Sequence, residues 1–219
     1  MDSKTYDPTK PSEMFNGLVG DDIQREIAIA VVSQYRRAFE YCYENFEQAE
    51  AHDLLPHLRR AYIEEVMPDL AERVEGYTTI TEKNKAENCW HRSILGDRII
   101  LTQSKVEQRE TLPRDAEFRK GYAKSNQMLF DFMNEDEASE LDVEAPLYAI
   151  IVHMPADDNK RLPEFVDIVF TDKDYKEIVG RIIKLLDKFP DIITKINPEE
   201  TIPDKVDIKL VKKTDSETA

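Results

Sequence analysis

The sequence predicts an α+β fold in which an N-terminal helical hairpin packs with a mixed or antiparallel sheet and two further helices. Three observations lead to this fold class. Apolar residues recur at three- and four-residue steps over 21–75, the period of an amphipathic helix. From residue 78 the pattern changes to the alternation of half-buried strands, and continuous apolar runs follow at 147–153 and 165–170.

The first helix is predicted to begin at Asp21, which forms a capping-box pattern with Gln24, and to run to about Ala49. The second is predicted to have Asp53 as its N-cap and Pro56 in its first turn. A kink or break is expected near Met67, because Pro68 removes a backbone donor and its ring collides with the preceding turn. The short connection between the two helices favours an antiparallel hairpin.

Residues 87–106 are predicted to form a β-hairpin, because Gly96-Asp97 separates two strand-like runs. Successive side chains of a strand point to opposite faces, so His91 and Arg92 are expected to point oppositely. The remaining elements complete the core without fixing the strand order: strands are predicted near 78, 90, 100, 148, 166 and 207, and helices at 113–133 and 174–189.

Asp167 stands within the apolar run at 165–170, on the face of Phe165 and Val169 and opposite to Val166, Ile168 and Phe170. The expectation is an exposed carboxylate, because an ionised acid is seldom fully buried without a partner.

The domain organisation follows from composition. Residues 1–20 are rich in Pro, Asp, Ser and Lys without periodicity and are predicted to be a flexible arm. Residues 21–212 are predicted to form a single α+β domain, with a subdomain boundary, if any, in the acidic stretch 134–146. Residues 213–219 are a charged tail.

The absence of a long apolar run or a secretory signal favours a soluble, cytoplasmic protein with no membrane contact.

Charge is unevenly distributed along the chain. The net charge is −15, which disfavours a general nucleic-acid surface. Residues 83–124 nevertheless carry ten Lys or Arg against six Asp or Glu, a balance of +4. This central segment is the candidate binding surface, since arginine grips phosphate or carboxylate through its planar fork. Its predicted binding residues are Arg92, Arg98, Arg114, Arg119 and Lys120.

Two hypotheses of function follow. The first is a non-enzymatic interaction or regulatory protein that binds a macromolecular partner, with a protein partner favoured over nucleic acid and the central segment as the contact surface. A variant of it is an acidic mimic of nucleic acid that inhibits a basic partner. The alternative is a divergent metal-dependent phosphodiesterase or nuclease, because Asp97 with Gln103-Ser104-Lys105 resembles the acid and lysine pattern of such sites.

No cofactor, metal site or catalytic residue is predicted. His52, Asp53 and His57 have poor spacing for Zn²⁺. Cys42 and Cys89 lack the flanking signature of a catalytic or redox cysteine. No segment has the residue spacing of a phosphate-binding loop or of a calcium-binding loop. The sequence therefore favours binding over catalysis without identifying the partner.

Overall fold

A mixed six-stranded sheet lies at the centre of the protein, with helices on both of its faces. The computed structural model describes residues 11–83, 89–96, 98–131, 146–157 and 160–195. The elements in chain order are α1 (Pro11–Leu18), α2 (Asp21–Asn45), α3 (Gln48–Glu64), α4 (Val66–Arg73), β1 (Tyr77–Lys83), β2 (Cys89–Leu95), β3 (Ile99–Lys105), α5 (Glu117–Asp131), β4 (Leu147–Pro155), β5 (Pro163–Thr171), β6 (Ile178–Lys184), α6 (Leu185–Lys188) and α7 (Asp191–Lys195). The predicted α+β class is confirmed.

The strands lie side by side in the order in which they occur in the sequence, β1 to β6. Neighbouring strands are antiparallel except for β3 and β4, which are parallel. A parallel pair needs a crossover connection, and α5 lies within it. The carboxyl ends of β3 and β4 consequently meet at the same edge of the sheet.

Each face of the sheet has its own hydrophobic core. One face packs against α1, α2 and α4 through side chains such as Phe15, Val31 and Leu70. The opposite face packs against α5 and the loop that precedes it, where Ala123 and Tyr148 are fully buried. Because both faces are covered, β4 and β5 are continuous apolar runs instead of alternating ones.

The N-terminal helical hairpin is formed by α2 and α3, whose contact buries Ala38 and Leu55. The predicted break is confirmed, since α3 ends at Glu64 and α4 begins at Val66, ahead of Pro68.

No helix in the described part of the chain is both long and apolar enough to cross a membrane.

The predicted caps are wrong. Gly20 is the N-cap of α2 and offers no side-chain cap, while the Gln24 amide donates backwards to the carbonyl of Val19 at 2.8 Å. Helix α3 begins at Gln48, so Asp53 and Pro56 both lie inside it. Helix α2 thus begins at Asp21 as predicted but with a different cap, whereas α3 begins ahead of its predicted cap, Asp53.

Residues 11–18 depart from the expected flexible arm. They form α1, and Met14 and Phe15 are buried beneath it. The Phe15 ring meets Phe170 of β5 edge to face at 5.7 Å between centroids. Residues 1–10, the acidic stretch 134–145, the predicted strand near 207 and the tail 213–219 lie outside the described residues.

The predicted hairpin is confirmed as β2 and β3, which pair through Ser93 with Leu101 and Leu95 with Ile99. Its two faces differ as expected. Arg92 lies over the Tyr122 ring of α5, whereas Ser93 bonds to Thr79 beneath α4. Strands were also correctly predicted near 78, 148 and 166, and the third amphipathic helix is α5, although it begins at Glu117 instead of 113.

The helix predicted at 174–189 is wrong for most of its length. Residues 178–184 form β6, and only 185–188 are helical within that span. A spacing of four residues is compatible with both the helical and the strand period, so Ile178 and Ile182 share one face in either structure. In the strand these two pack on the α5 side, and Val179 and Ile183 pack on the opposite side. The sequence pattern alone could not distinguish the two structures.

Gly180 interrupts β6 with an irregularity in its pairing to β5. Its φ of +72° is strained for any residue with a Cβ. A Cβ at this position would also lie 2.9 Å from the ring of Pro11 in α1. The bulge and the docking of α1 therefore both require glycine here.

Asp167 is buried, contrary to the expectation, with an exposed fraction of 1%. Arg109 from the loop before α5 holds it through two hydrogen bonds, Nε to Oδ2 at 2.7 Å and Nη2 to Oδ1 at 3.0 Å. The same guanidinium donates to Asp187 at 3.3 Å and lies over the Phe165 ring. This bond to Asp167 raises the pKa of Arg109. Asp167 can be buried because Arg109, far away in the sequence, pairs with it. A local sequence pattern does not reveal such a partner.

Helix α5 is anchored to the sheet by Asn126, whose side chain is fully buried. Its amide nitrogen donates to the carbonyls of Tyr148 and Thr171 at 3.1 and 2.9 Å. Its amide oxygen accepts from the backbone nitrogen of Tyr148 at 2.7 Å. Three buried hydrogen bonds from one side chain thus tie the crossover helix to β4 and β5.

Replacement of Arg109 by leucine is expected to destabilise the fold by roughly 3 kcal/mol, because it leaves the Asp167 carboxylate buried without a partner. The lower end of the range for buried pairs applies, since the Arg109 side chain is 32% exposed. Urea unfolding at pH 7 measures the change. The double variant Arg109→Leu with Asp167→Leu should recover much of the loss, and equal destabilisation in the single and double variants would contradict this role.

Candidate anion-binding cleft

A cleft opens at the edge of the sheet where β3 and β4 end. The parallel register sets Lys105 beside His153 and Gln103 beside Ile151. Helix α3 borders the cleft on one side and the start of α5 on another. Ligands commonly bind outside the carboxyl ends of parallel strands in sheets covered by helices. The topology therefore places polar side chains at a position suited to a ligand.

The cleft has two parts that share Arg60, Glu64, Gln103 and Arg119. The inner pocket, of about 340 Å³, is lined by Tyr35, Pro56, Arg59, Arg60, Ile63, Glu64, Gln103, Ser104, Lys105, Arg119 and His153. The outer pocket, of about 610 Å³, is lined by Arg60, Glu64, Trp90, His91, Thr102, Gln103, Arg114, Asp115, Ala116, Glu117, Phe118 and Arg119. Both volumes lie within the range of small-molecule sites, about 300 to 1,000 Å³.

The inner pocket is strongly cationic. Of the residues that the structure describes, it holds Arg59, Arg60, Lys105 and Arg119 against a single carboxylate, that of Glu64. Within the described part of the chain, no Asp or Glu oxygen lies within 4.0 Å of the charged nitrogens of these four cations. This concentration of positive charge occurs in a chain whose net charge is −15.

Arg59 is the most buried of the four, with an exposed fraction of 8%. Its Nη2 donates to the backbone carbonyl of Lys160 at 2.6 Å, and its guanidinium lies 4.9 Å from the centre of the Tyr35 ring. Its Nε is buried without a hydrogen-bond partner among the described residues. Burial lowers the pKa of Arg59, because desolvation disfavours its charged form.

Arg119 is held at the junction of the two pockets. Its Nη1 donates to the Arg114 carbonyl at 2.8 Å and its Nη2 to the Ser104 hydroxyl at 3.0 Å. The guanidinium also lies over the Phe118 ring at 4.9 Å. Its Nε, like that of Arg59, is buried and lacks a partner among the described residues. Two arginines of the inner pocket thus retain a free donor.

The floor of the inner pocket is neutral and hydrogen-bonded. Tyr35 donates its hydroxyl proton to Nδ1 of His153 at 2.8 Å, and the His153 Nε2 proton is then donated to Oε1 of Gln103 at 3.2 Å. Burial, followed by the charges of Arg59 and Lys105, lowers the pKa of His153 to about 3. His153 is therefore neutral at physiological pH and fixes the orientation of Gln103.

Glu64 lies on the wall shared by the two pockets and is half-buried. Burial raises its pKa, while a hydrogen bond from Gln103 and the charges of His91, Arg60 and Arg119 act in the opposite direction. The carboxylate is thus surrounded by cations and donors, but it balances only one of the four positive charges in the inner pocket.

The predicted binding residues are not gathered in one place. Arg114 and Arg119 line the outer pocket, and Arg119 also reaches the inner one. Arg92 instead pairs with Glu82 at 3.2 Å, and Lys120 pairs with Asp115 at 2.8 Å. Arg98 lies exposed at the hairpin turn, at the end of β3 opposite to Lys105. The central segment is therefore divided between cleft residues and internal ion pairs.

Two cations of the inner pocket, Arg59 and Arg60, were missed because they lie on α3, outside the charged segment 83–124. Their only signal was an Arg-Arg pair that follows His57 and Leu58 in an otherwise amphipathic helix. Neighbouring residues on a helix point in different directions, and of this pair Arg59 is the one that faces inward.

The other candidate groups do not converge on a site. His52 lies 3.4 Å from Asp53 on an exposed surface. Cys42 is a buried free thiol. The described residues contain no group of three His, Cys, Asp or Glu side chains placed to hold a metal ion. Asp97, which the nuclease hypothesis pairs with Lys105, lies outside the described residues.

Comparisons of the chain with protein-family models, with curated proteins and with solved structures find no match. The chemistry open to the cleft therefore rests on its own side chains. Among the described residues, these are four cations, a neutral hydrogen-bonded floor and a single carboxylate. Such a set is suited to holding an anion.

The stability of the protein should depend on His153 below neutral pH. The folded state keeps His153 neutral to about pH 3, whereas the unfolded chain protonates it near 6.5, so its contribution is complete above 6.5 and declines as the pH falls towards 3. Compared with His153→Gln, the wild type should lose roughly 1.4 kcal/mol more per pH unit between pH 6 and 4. Urea unfolding across this range provides the measurement, and parallel profiles for the two proteins would exclude a buried neutral histidine.

Proposed function

We propose that the chain is a non-enzymatic binding protein whose cleft holds phosphate groups of a nucleic acid. The observation that carries this proposal is the convergence of Arg59, Arg60, Lys105 and Arg119, without an acidic partner within 4.0 Å among the described residues, in a chain of net charge −15. Among the described residues, the ion pairs of the acids are all made with other cations.

Energetics favour an anionic ligand for this arrangement. A guanidinium removed from water, as in Arg59, is costly unless an opposite charge or hydrogen-bond acceptor compensates it. Arginine presents a planar fork of donors that matches the oxygens of phosphate, and Lys105 adds a point charge beside it. Phosphate supplies both the negative charge and several hydrogen-bond acceptors at once.

The shape and lining of the cleft extend the site beyond one phosphate. From the inner pocket the cleft continues past Arg119 into the outer pocket, where Arg114 adds a cation. Trp90 and Phe118 stack at 4.4 Å and form part of the outer wall. Cations followed by aromatic side chains are the combination that single-stranded nucleic acid uses, with phosphates on the cations and bases against the rings.

The overall negative charge restricts where a nucleic acid can approach. At physiological salt, charges more than about 8 Å apart are largely screened, so the cleft attracts a phosphate although the rest of the surface repels it. Binding is therefore expected to be local, with a short footprint and few phosphate contacts. This differs from the broad contact of proteins that lie along a duplex.

Cleavage is the alternative at the same place. Gln103 and Lys105, the residues of the nuclease hypothesis, line the inner pocket beside Glu64. That hypothesis also requires Asp97, about which the described residues say nothing. The cations support binding directly, whereas metal-dependent cleavage needs a further carboxylate, so binding is the function we favour.

Fluorescence anisotropy with labelled single-stranded DNA, RNA and duplex DNA, without metal, tests the proposal. The double variant Lys105→Gln with Arg119→Gln should weaken single-strand binding by roughly 3 kcal/mol, about 100-fold, through two lost charge-assisted hydrogen bonds. The slope of log affinity against log salt should also become shallower by about 0.7 for each lost phosphate contact.

The matched control is Arg98→Gln with Lys120→Gln, which removes the same charge from the same segment outside the two pockets. It should retain most of the affinity. Equal losses in both double variants would indicate a long-range charge effect instead of a cleft. Absence of binding to all three polymers, or tighter binding of a phosphoserine peptide, would overturn the nucleic-acid proposal. Cleavage after addition of Mg²⁺ would make the protein an enzyme.

A further inference from the structure

We infer that the inner pocket is a subsite for a phosphomonoester, and that it receives the terminal phosphate of a nucleic-acid strand. This inference rests on the proposed function and adds to it which phosphate is recognised. An internal phosphate of a strand carries one negative charge, whereas a terminal phosphate carries about −1.5 to −2 at neutral pH and has one more free oxygen. The structure favours the second ligand for three reasons.

The first reason is that the pocket is closed on its inner side. Tyr35, Ile63 and His153 form this inner wall, and each has an exposed fraction of 3% or less. The internal phosphate of a strand that continued in both directions would lie across the open side of the pocket, away from this wall. A strand that ends in the pocket needs only the opening that leads past Arg119 to the outer pocket.

The second reason is the depth of Arg59. This residue lines the inner pocket and is more than nine-tenths buried, and its Nε has no hydrogen-bond partner among the described residues. The Lys160 carbonyl and the Tyr35 ring hold the guanidinium in place without supplying a negative charge. A ligand oxygen must reach far into the pocket to approach this guanidinium. The outermost oxygens of a terminal phosphate can do so, whereas an internal phosphate is flanked by two sugars.

The third reason is the balance of charge. Among the described residues, four cations face one carboxylate in the inner pocket, which leaves a surplus of three positive charges. Coulomb attraction grows in proportion to the charge of the ligand, so this surplus favours a dianion over a monoanion in the same place. The outer pocket has no such surplus, because Arg60, Arg114 and Arg119 are there opposed by Glu64, Asp115 and Glu117. It is therefore better suited to the nucleoside than to the phosphate.

The experiment compares three forms of one oligothymidylate of about twelve nucleotides, with a phosphate at the 5′ end, at the 3′ end, or at neither end. Anisotropy of a dye on the opposite end reports binding to the wild-type protein. We expect one phosphorylated form to bind at least about tenfold more tightly than the hydroxyl form. Arg59→Gln should reduce this ratio towards one, whereas Arg98→Gln should leave it unchanged.

The possible failures are distinguishable. If no form binds, the proposed function fails and the inference fails with it. If all three forms bind with equal affinity, the proposed function stands and the terminal subsite is excluded. Competition by thymidine monophosphate and inorganic phosphate against the wild-type complex needs no variant, so it tests the subsite even if Arg59→Gln does not fold. Failure of both compounds to displace the phosphorylated strand would count against a phosphomonoester pocket, and monophosphate binding as tight as the strand's would replace the strand by a free nucleotide.

Discussion

The parallel pairing of β3 with β4 is the constraint on which the cleft depends. In an antiparallel pair the end of one strand lies beside the start of the next, so Lys105 and His153 would lie at opposite edges of the sheet. The parallel register instead places them side by side, and the crossover through α5 brings Arg119 to the same edge. Asn126 secures that crossover with three buried hydrogen bonds. The cleft is thus a product of the topology more than of any local motif.

An acidic protein can carry this cationic cleft because its paired carboxylates lie close to other cations and farther from those of the cleft. Arg92 is neutralised by Glu82, Lys120 by Asp115, and Arg109 by a buried carboxylate. Arg59 and Arg119 of the inner pocket are oriented by neutral groups instead: backbone carbonyls, a serine hydroxyl and aromatic rings. Neutral anchors fix a guanidinium without cancelling its charge, so the positive potential remains available to a ligand.

The sequence predicted much of this fold because the strongest signals are periodic. The helical hairpin, the break before Pro68, the β2–β3 hairpin, the strands at 148 and 166 and helix α5 each follow from repeated burial. What failed was local or ambiguous. Asp53 resembles an N-cap, yet α3 begins at Gln48, and the capping-box pattern of Asp21 and Gln24 marks the correct start of α2 but not its cap, Gly20. The four-residue spacing in 178–184 is compatible with a helix as well as a strand.

The cleft was only partly predictable for a different physical reason. Arg114 and Arg119 belong to the segment whose charge balance marked it, but their partners in space come from α3 and from the end of β4. Arg59 precedes His153 by 94 residues in the sequence, and no pattern within one element connects them. Likewise, the burial of Asp167 depends on Arg109, which lies 58 positions away. Sites assembled across a crossover are set by tertiary contacts, and a single sequence does not display these.

The anchoring of Arg59 and Arg119 also affects the entropy of ligand binding. A free arginine loses rotamer freedom when it grips an anion, at about 0.5–1.5 kcal/mol per side chain. Here a backbone carbonyl and an aromatic ring already restrict each guanidinium before any ligand arrives. That loss of freedom therefore belongs to the folding of the chain. These two arginines are preorganised before a phosphate binds. Less of the free energy of their attraction to the ligand is therefore lost in ordering their side chains.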